Sequence, residues 1–233
     1  MGVIRTLFST AVLGGAGSGA AFAFWTRNSH FVPLPPTDAI FASPAYAAQN
    51  PNGNPVTKDL CVRRVPLREI RPQLLEKEGK LVEAFCAGVW SGYGYTLQRH
   101  YLSSKYRTPN NTSQQLWDAP SLQTSTYPPG TQISNHFVVV SKTPTSIVVR
   151  CGDAPAVQGV RASDGLFEMG VEVHPEGEGE GDEKGGVAVF RLKSVFFQGS
   201  GTAKDKPMPN HIEFLHRLYT KVWMETALRN VTL

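Results

Sequence analysis

The chain is short of cysteine. Its three thiols, Cys61, Cys86 and Cys151, lie far apart in 233 residues, and no two form a C-x-x-C pair. That excludes a disulfide framework and a cysteine zinc site, and leaves buried thiols in a reducing compartment as the reading. Charge is sparse too, at 18% of residues. Nowhere do Lys and Arg cluster among aromatic residues, so nucleic acid is not an expected partner. No acidic residue precedes Asp38, whereas five of the chain's 19 acids crowd into Glu176–Glu183. That run lacks the D-x-[DN]-x-[DN]-G spacing of a calcium loop and reads as a solvated hairpin tip. His211 and His216 stand five apart, about 140° around a helix, and cannot share an ion on one face. Neither a metal nor a cofactor is expected.

What is present suits a folded domain. Apolar residues make up 41% of the chain, and the net charge is +4. Outside the acidic run the surface is markedly basic, which favours an anionic membrane or an acidic partner. From Leu7 to Trp25, "LFSTAVLGGAGSGAAFAFW" runs nineteen residues without a charge, between Arg5 and Arg27. At helical rise this spans about 28 Å, enough for a hydrocarbon core. Residues 1–27 therefore read as a membrane anchor or targeting segment. A single-pass anchor, mitochondrial or otherwise, competes with a secretory signal that uses Ala21-Phe22-Ala23 as its cleavage site. Gly15 and Gly19 form a G-x-x-x-G that suits close packing on another membrane helix. Residues 28–59, dense in Pro, Ala and Asn, keep no helical or strand period and read as an extended linker. Its few aromatics, Phe31, Phe41 and Tyr46, are expected to dock it on the domain.

Residues 60–233 carry the fold. "LCVRRV" (Leu60 to Val65) alternates as a first strand, ended by Pro66. "REIRPQLLEKEGKLVEAFCAGVW" predicts a helix in two pieces broken near Gly79, with Leu81, Val82, Phe85 and Val89 facing the core. A further helical stretch follows through Tyr95 and Arg99. "TQISNHFVVV" then predicts one strand with Ile133, Asn135, Phe137 and Val139 on one face, and "IVVRC" the next. Phe167, Met169, Val171 and Val173 share a face of "LFEMGVEV", opposite Glu168, Gly170 and Glu172. "GVAVFRLKSVFF" sets Ala188, Phe190, Leu192, Ser194 and Phe196 on one side. The last segment predicts a long helix from Pro209–Asn210, with Ile212, Leu215, Tyr219, Val222 and Thr226 down one face.

The order is one strand, helices, an antiparallel meander and a terminal helix. The segments that carry it are "LVEAFCAGVW…LQRHYL", "YPPGTQISNHFVVVSKTPTSIVVRCG", "DGLFEMGVEV…VAVFRLKSVFF" and "HIEFLHRLYTKVWMETALRN". In this order the chain resembles the START-like, helix-grip superfamily of polyketide cyclases and lipid-transfer domains, and within it an uncharacterised fungal-type branch. The resemblance implies an α+β fold in which an antiparallel sheet wraps a long C-terminal helix, with a cavity between them for a lipid, sterol or polyketide. It transfers no catalytic motif.

Three functions fit: a membrane-anchored domain that binds or transfers a hydrophobic small molecule, a cyclase- or dehydratase-like enzyme acting on polyketide-type intermediates, or a non-catalytic subunit of a membrane complex. Within "CGDAPAVQGVRASDG", Cys151 to Gly165, the stretch "APAVQGVR", Ala154 to Arg161, is short and apolar enough to cross a cavity mouth. Its Arg161 pairs with Asp164 or Glu168, or else meets a ligand's carboxylate. A nucleophile reading uses Cys151, His136 and Asp153. An acid–base reading uses His136 with Glu168. Trp90, Tyr93, Tyr95 and Trp117 either line a pocket or fill the core.

Overall fold

A computed structural model of the chain describes residues 18–175 and 185–233. The acidic run Glu176–Glu183 lies outside the described residues, as do residues 7–17 of the expected anchor. Residues 18–25 are helical and largely exposed, although none of them is charged. No helix among the described residues is long and apolar enough to cross a membrane.

The domain is α+β, built on one seven-stranded sheet with every strand pair antiparallel. The strands are β1 (Ser29–Val32), β2 (Val56–Pro66), β3 (Gln132–Ile133), β4 (Phe137–Lys142), β5 (Ser146–Cys151), β6 (Asp164–His174) and β7 (Val187–Phe197). They lie in the order β1-β2-β7-β6-β5-β4-β3. Consecutive strands from β3 to β7 are neighbours, as hairpin connections dictate, and β7 closes back on β2. The helices are α1 (Pro44–Gln49), α2 (Lys80–Ser91), α3 (Tyr93–Tyr106), α4 (Pro109–Thr112), α5 (Ala119–Thr124) and α6 (Asn210–Leu228).

The period-two pattern holds on the long strands. Phe167, Met169 and Val171 of β6, with Phe190 and Leu192 of β7, are buried in the main core against Val82, Phe85, Val89 and Trp90 of α2. Helix α6 packs on β1 and β2 to one side and on α2 and α3 to the other. Its C-terminal half sits close. A methyl group at Gly88 would meet the Ala227 carbonyl oxygen at 2.4 Å, and one at Gly94 would meet Thr226 Oγ1 at 2.6 Å. Glycine is what lets these backbones touch.

Four expectations are corrected. Residues 28–59 are not a spacer. Ser29–Val32 pairs with β2, Val56–Asp59 belongs to β2, and Leu34 and Ile40 are buried on the sheet's outer face with Leu60, Leu166, Val195 and Phe197. Phe41 and Tyr46 pack on that cluster and Phe31 on the main one. The polar residues that hid this are caps and clamps. Asp38 accepts from the Ile40 N–H at 3.0 Å, Ser43 caps α1 through the Tyr46 N–H at 3.2 Å, and the buried Asn54 donates to the Gln198 carbonyl at 2.6 Å. Second, the first half of the predicted two-piece helix is two 3-10 turns, Leu67–Glu69 and Pro72–Leu74. Only Lys80–Ser91, entered through Gly79 at φ +82°, is α-helical. Third, "TQISNHFVVV" is a tight hairpin. Ser134 and Asn135 adopt φ of +49° and +52° and turn β3 onto β4, so neither lies in a strand. Fourth, the inner face of α6 matches the predicted one only toward its C-terminus, where Thr226 and Met224 are buried as expected, and departs from it in the first half. Ile212 and Leu215 are 41% and 57% exposed, whereas Thr220, Trp223, Met224 and Ala227 are buried.

Candidate functional site

The C-terminal half of α6 closes on α2 and α3, and between the helix and the sheet lies a cavity of about 380 Å³. Helix α6 and the segment before it supply Met208, His216, Tyr219, Thr220 and Trp223. The sheet supplies Phe137, Cys151, Phe167 and Phe196. Gln98 of α3 and His136, beside the β3–β4 turn, complete the walls, with Gly152 and Ser163 at the neck of the 152–163 loop. Large rings hold the gap open. Trp223 stacks edge-on against Phe167 at 5.3 Å and Tyr219 at 5.1 Å, and Phe196 meets the His216 ring at 5.0 Å. The walls are apolar with a few polar groups, the usual make-up of a small-molecule pocket. A depression of similar size at the other end of α6 mixes Trp25, Val65 and Leu228 with Arg63, Arg68, Glu69, Glu225 and Arg229, so charged groups ring it.

One polar cluster stands out in the wall. Asp59 of β2 projects from the helix-facing side and is paired in register with Ser194 of β7. His216 of α6 comes down on both. Its Nε2 lies 3.0 Å from Asp59 Oδ2, 3.2 Å from Ser194 Oγ and 3.4 Å from Thr220 Oγ1. The contact with Asp59 is close but poorly aligned, so both carboxylate oxygens are buried without a hydrogen bond among the described residues. Thr57 Oγ1, two residues earlier on the same strand face, is likewise buried and unmatched. Serine, histidine and aspartate here do not form a nucleophilic triad. Both the hydroxyls and the carboxylate approach the same ring nitrogen, whereas a triad needs them on opposite ones.

The expected site residues are dispersed. His136 does border the cavity, and burial lowers its pKa, so the ring stays neutral into mildly acidic conditions. Glu168 lies on the sheet's other face, 3.2 Å from Lys193 Nζ, which also holds Asp38 at 2.7 Å. The pleat separates Glu168 from His136. Cys151 lines the cavity, but burial, reinforced by nearby Asp164, pushes its thiol up to about 12, which leaves no thiolate for nucleophilic attack. Arg161 is buried and spends its donors on the carbonyls of Asp153, Ala154 and Val157 at 2.9–3.2 Å. It staples the loop across the cavity neck and makes no ion pair with Asp164 or Glu168. Asp164 pairs with Arg150 instead, whose Nε donates at 2.8 Å. Trp90 is wholly buried behind the cavity, its ring 5.4 Å from Trp223. Trp117 is buried elsewhere, donating to the Asn111 carbonyl at 3.2 Å, and Tyr93 is 80% exposed. None of these three lines the pocket.

Sequence reasoning missed Asp59, Gln98, His216, Tyr219 and Thr220. A signal did exist. Counting back from Ala227 at helical spacing gives Trp223, Thr220 and His216, a face that turns polar, and β2 carries polar Thr57 and Asp59 on one face ahead of the apolar Leu60–Val62. No family model matches the chain, and neither does any curated protein or solved structure.

Proposed function

We propose that the domain binds a hydrophobic small molecule between the sheet and α6. The observation that carries this reading is the cavity lined by Phe137, Phe167, Phe196, Tyr219 and Trp223, open to solvent beside Ser163. The strand order from β2 through β7 to β3, with helices between β2 and β3 and a terminal helix over the sheet, supports the helix-grip resemblance. The test uses the full chain purified from a eukaryotic host, with bound molecules extracted for mass spectrometry. Ser163→Trp, an exposed site at the neck, should block recovery of the ligand without lowering the melting temperature. Empty wild-type protein that no lipid stabilises would overturn the reading.

A second reading, an acid–base enzyme of the cyclase or dehydratase kind, is favoured by the carboxylate behind His216. It places the base at His216, with Asp59 behind it, because Glu168 is out of reach of His136. Incubating the protein with 2-decanone in heavy water tests it: deuterium should enter beside the carbonyl with the wild type and not with His216→Gln.

Residues 7–25 complete the proposal as a membrane anchor. Its support is the exposed, uncharged helix at 18–25, closed by Arg27, whose guanidinium lies 3.9 Å over the Phe24 ring and donates to the Phe24 carbonyl at 2.7 Å. Alkaline carbonate extraction of cell membranes should leave the chain in the pellet, and release into the supernatant would refute the anchor.

A further inference from the structure

The charges around the cavity bear on what enters it; this inference rests on the ligand-binding reading above. None of the residues lining the cavity is a lysine, arginine, aspartate or glutamate. Its ionisable groups are His136, Cys151, His216 and Tyr219. Burial keeps His136 neutral, and it raises both the Cys151 thiol and the Tyr219 phenol. Arg161, the cation whose field reaches His136, already serves the carbonyls of its own loop. Arg99 has a buried, unmatched Nη1, but it neighbours Tyr95 and does not line the cavity. Directly behind the wall lies a negative group, Asp59, its side chain 3% exposed. A ligand carboxylate would have to shed its water beside another carboxylate, with no cation in the cavity wall to receive it.

The hydrogen-bond roles at His216 agree. In the neutral ring, an unprotonated Nε2 would face the Asp59 carboxylate at 3.0 Å, a repulsion that favours the tautomer with the proton on Nε2, where Ser194 Oγ at 3.2 Å accepts it. Nδ1 then keeps its lone pair. It has no hydrogen-bond partner among the described residues, and the ring borders the cavity. This nitrogen is an acceptor waiting for a donor. A thioether, an ester or a bare hydrocarbon offers none, whereas an alcohol does.

We propose that the cavity selects an uncharged amphiphile bearing a hydroxyl group. Its O–H donates to His216 Nδ1, and its hydrocarbon lies along Phe137, Phe167, Phe196 and Trp223. Asp59 is the positioning residue: it fixes the ring tautomer and turns away anionic ligands.

The probes are 1-decanol, decyl methyl ether and decanoate, titrated calorimetrically into the full chain at pH 7.5. The alcohol should bind about tenfold or more tighter than the ether, which keeps the chain and loses only the donor. Decanoate should bind more weakly than the alcohol by at least the same factor. His216→Phe should abolish the preference for alcohol over ether, so that the two bind within about twofold of each other. Asp59→Asn should relax the discrimination against decanoate. The wild-type ranking needs no variant, so the proposal can fail even if both variants misfold. Equal affinity for alcohol and ether, or tightest binding of decanoate, would overturn this inference and leave ligand binding standing. Failure of all three probes to bind would overturn both.

Discussion

Two aspartates are buried in this sheet, and they are treated oppositely. Asp164, at the start of β6, has no exposed side-chain surface and every need met: Arg150 grips both oxygens, and the Gly165 N–H adds a third donor at 3.0 Å. Asp59, near the middle of β2, is almost as buried and has no aligned donor. The matched carboxylate closes the neck of a loop. The unmatched one stands behind a cavity. Because a buried carboxylate without a hydrogen-bond donor is destabilising, its presence beside a pocket-lining histidine points to a role other than stability.

Mutations break or sharpen that contrast. The largest effect is expected from Asp164→Asn, which leaves Arg150 buried and unpaired; urea melts should show a loss of about 3–5 kcal/mol. Replacing the pair together, Arg150→Met with Asp164→Leu, should recover most of that loss, showing that the match stabilises rather than the charge itself. Next is Arg161→Ala. Freeing the carbonyls of Asp153, Ala154 and Val157 should cost about 1–3 kcal/mol and speed amide exchange across residues 152–163. Asp59→Asn should act with the opposite sign, stabilising the fold by about 1 kcal/mol as a higher urea midpoint at unchanged slope. A loss as large as that of Asp164→Asn would erase the distinction.

The smallest effect concerns a half-matched acid, Glu83. Burial alone would raise its carboxyl, but Lys142 and Lys80, at 2.6 and 2.8 Å, outweigh that and hold it below its usual 4.5. A depressed folded-state pKa gives stability that is present above pH 4.5 and lost as pH falls through the folded value. Glu83→Gln should therefore flatten acid unfolding below that pH, by about 1 kcal/mol or less.

The long strands were legible because alternation survives even where both sheet faces are covered. Phe167, Met169 and Val171 fall inward as their spacing requires. The layer formed by residues 28–54 was legible only in its docking aromatics, Phe31, Phe41 and Tyr46; Leu34 and Ile40 stand singly among prolines and asparagines whose roles as caps and clamps appear only in three dimensions. The site failed for a related reason. Asp59 and His216 come from opposite ends of the domain, and neither spacing nor motif links them. Periodicity alone also misled on α6, where Ile212 and Leu215 were more apolar than the His216 and Thr220 that turn inward. Of the expected site residues, His136 and Cys151 reach the cavity, His136 beside the Ser134–Asn135 turn, whose residues alternate in sequence as a strand would.

The strap over the outer face has a practical outcome. A protein trimmed to begin at Leu60, where alternation first becomes obvious, would lose the short border strand Ser29–Val32 and bare Val195 and Phe197. An uncovered β2 would then offer a row of free amides and carbonyls to any neighbour, the geometry from which chains stack edge to edge. Soluble material is to be sought by cutting ahead of Thr26, so that the border stays paired.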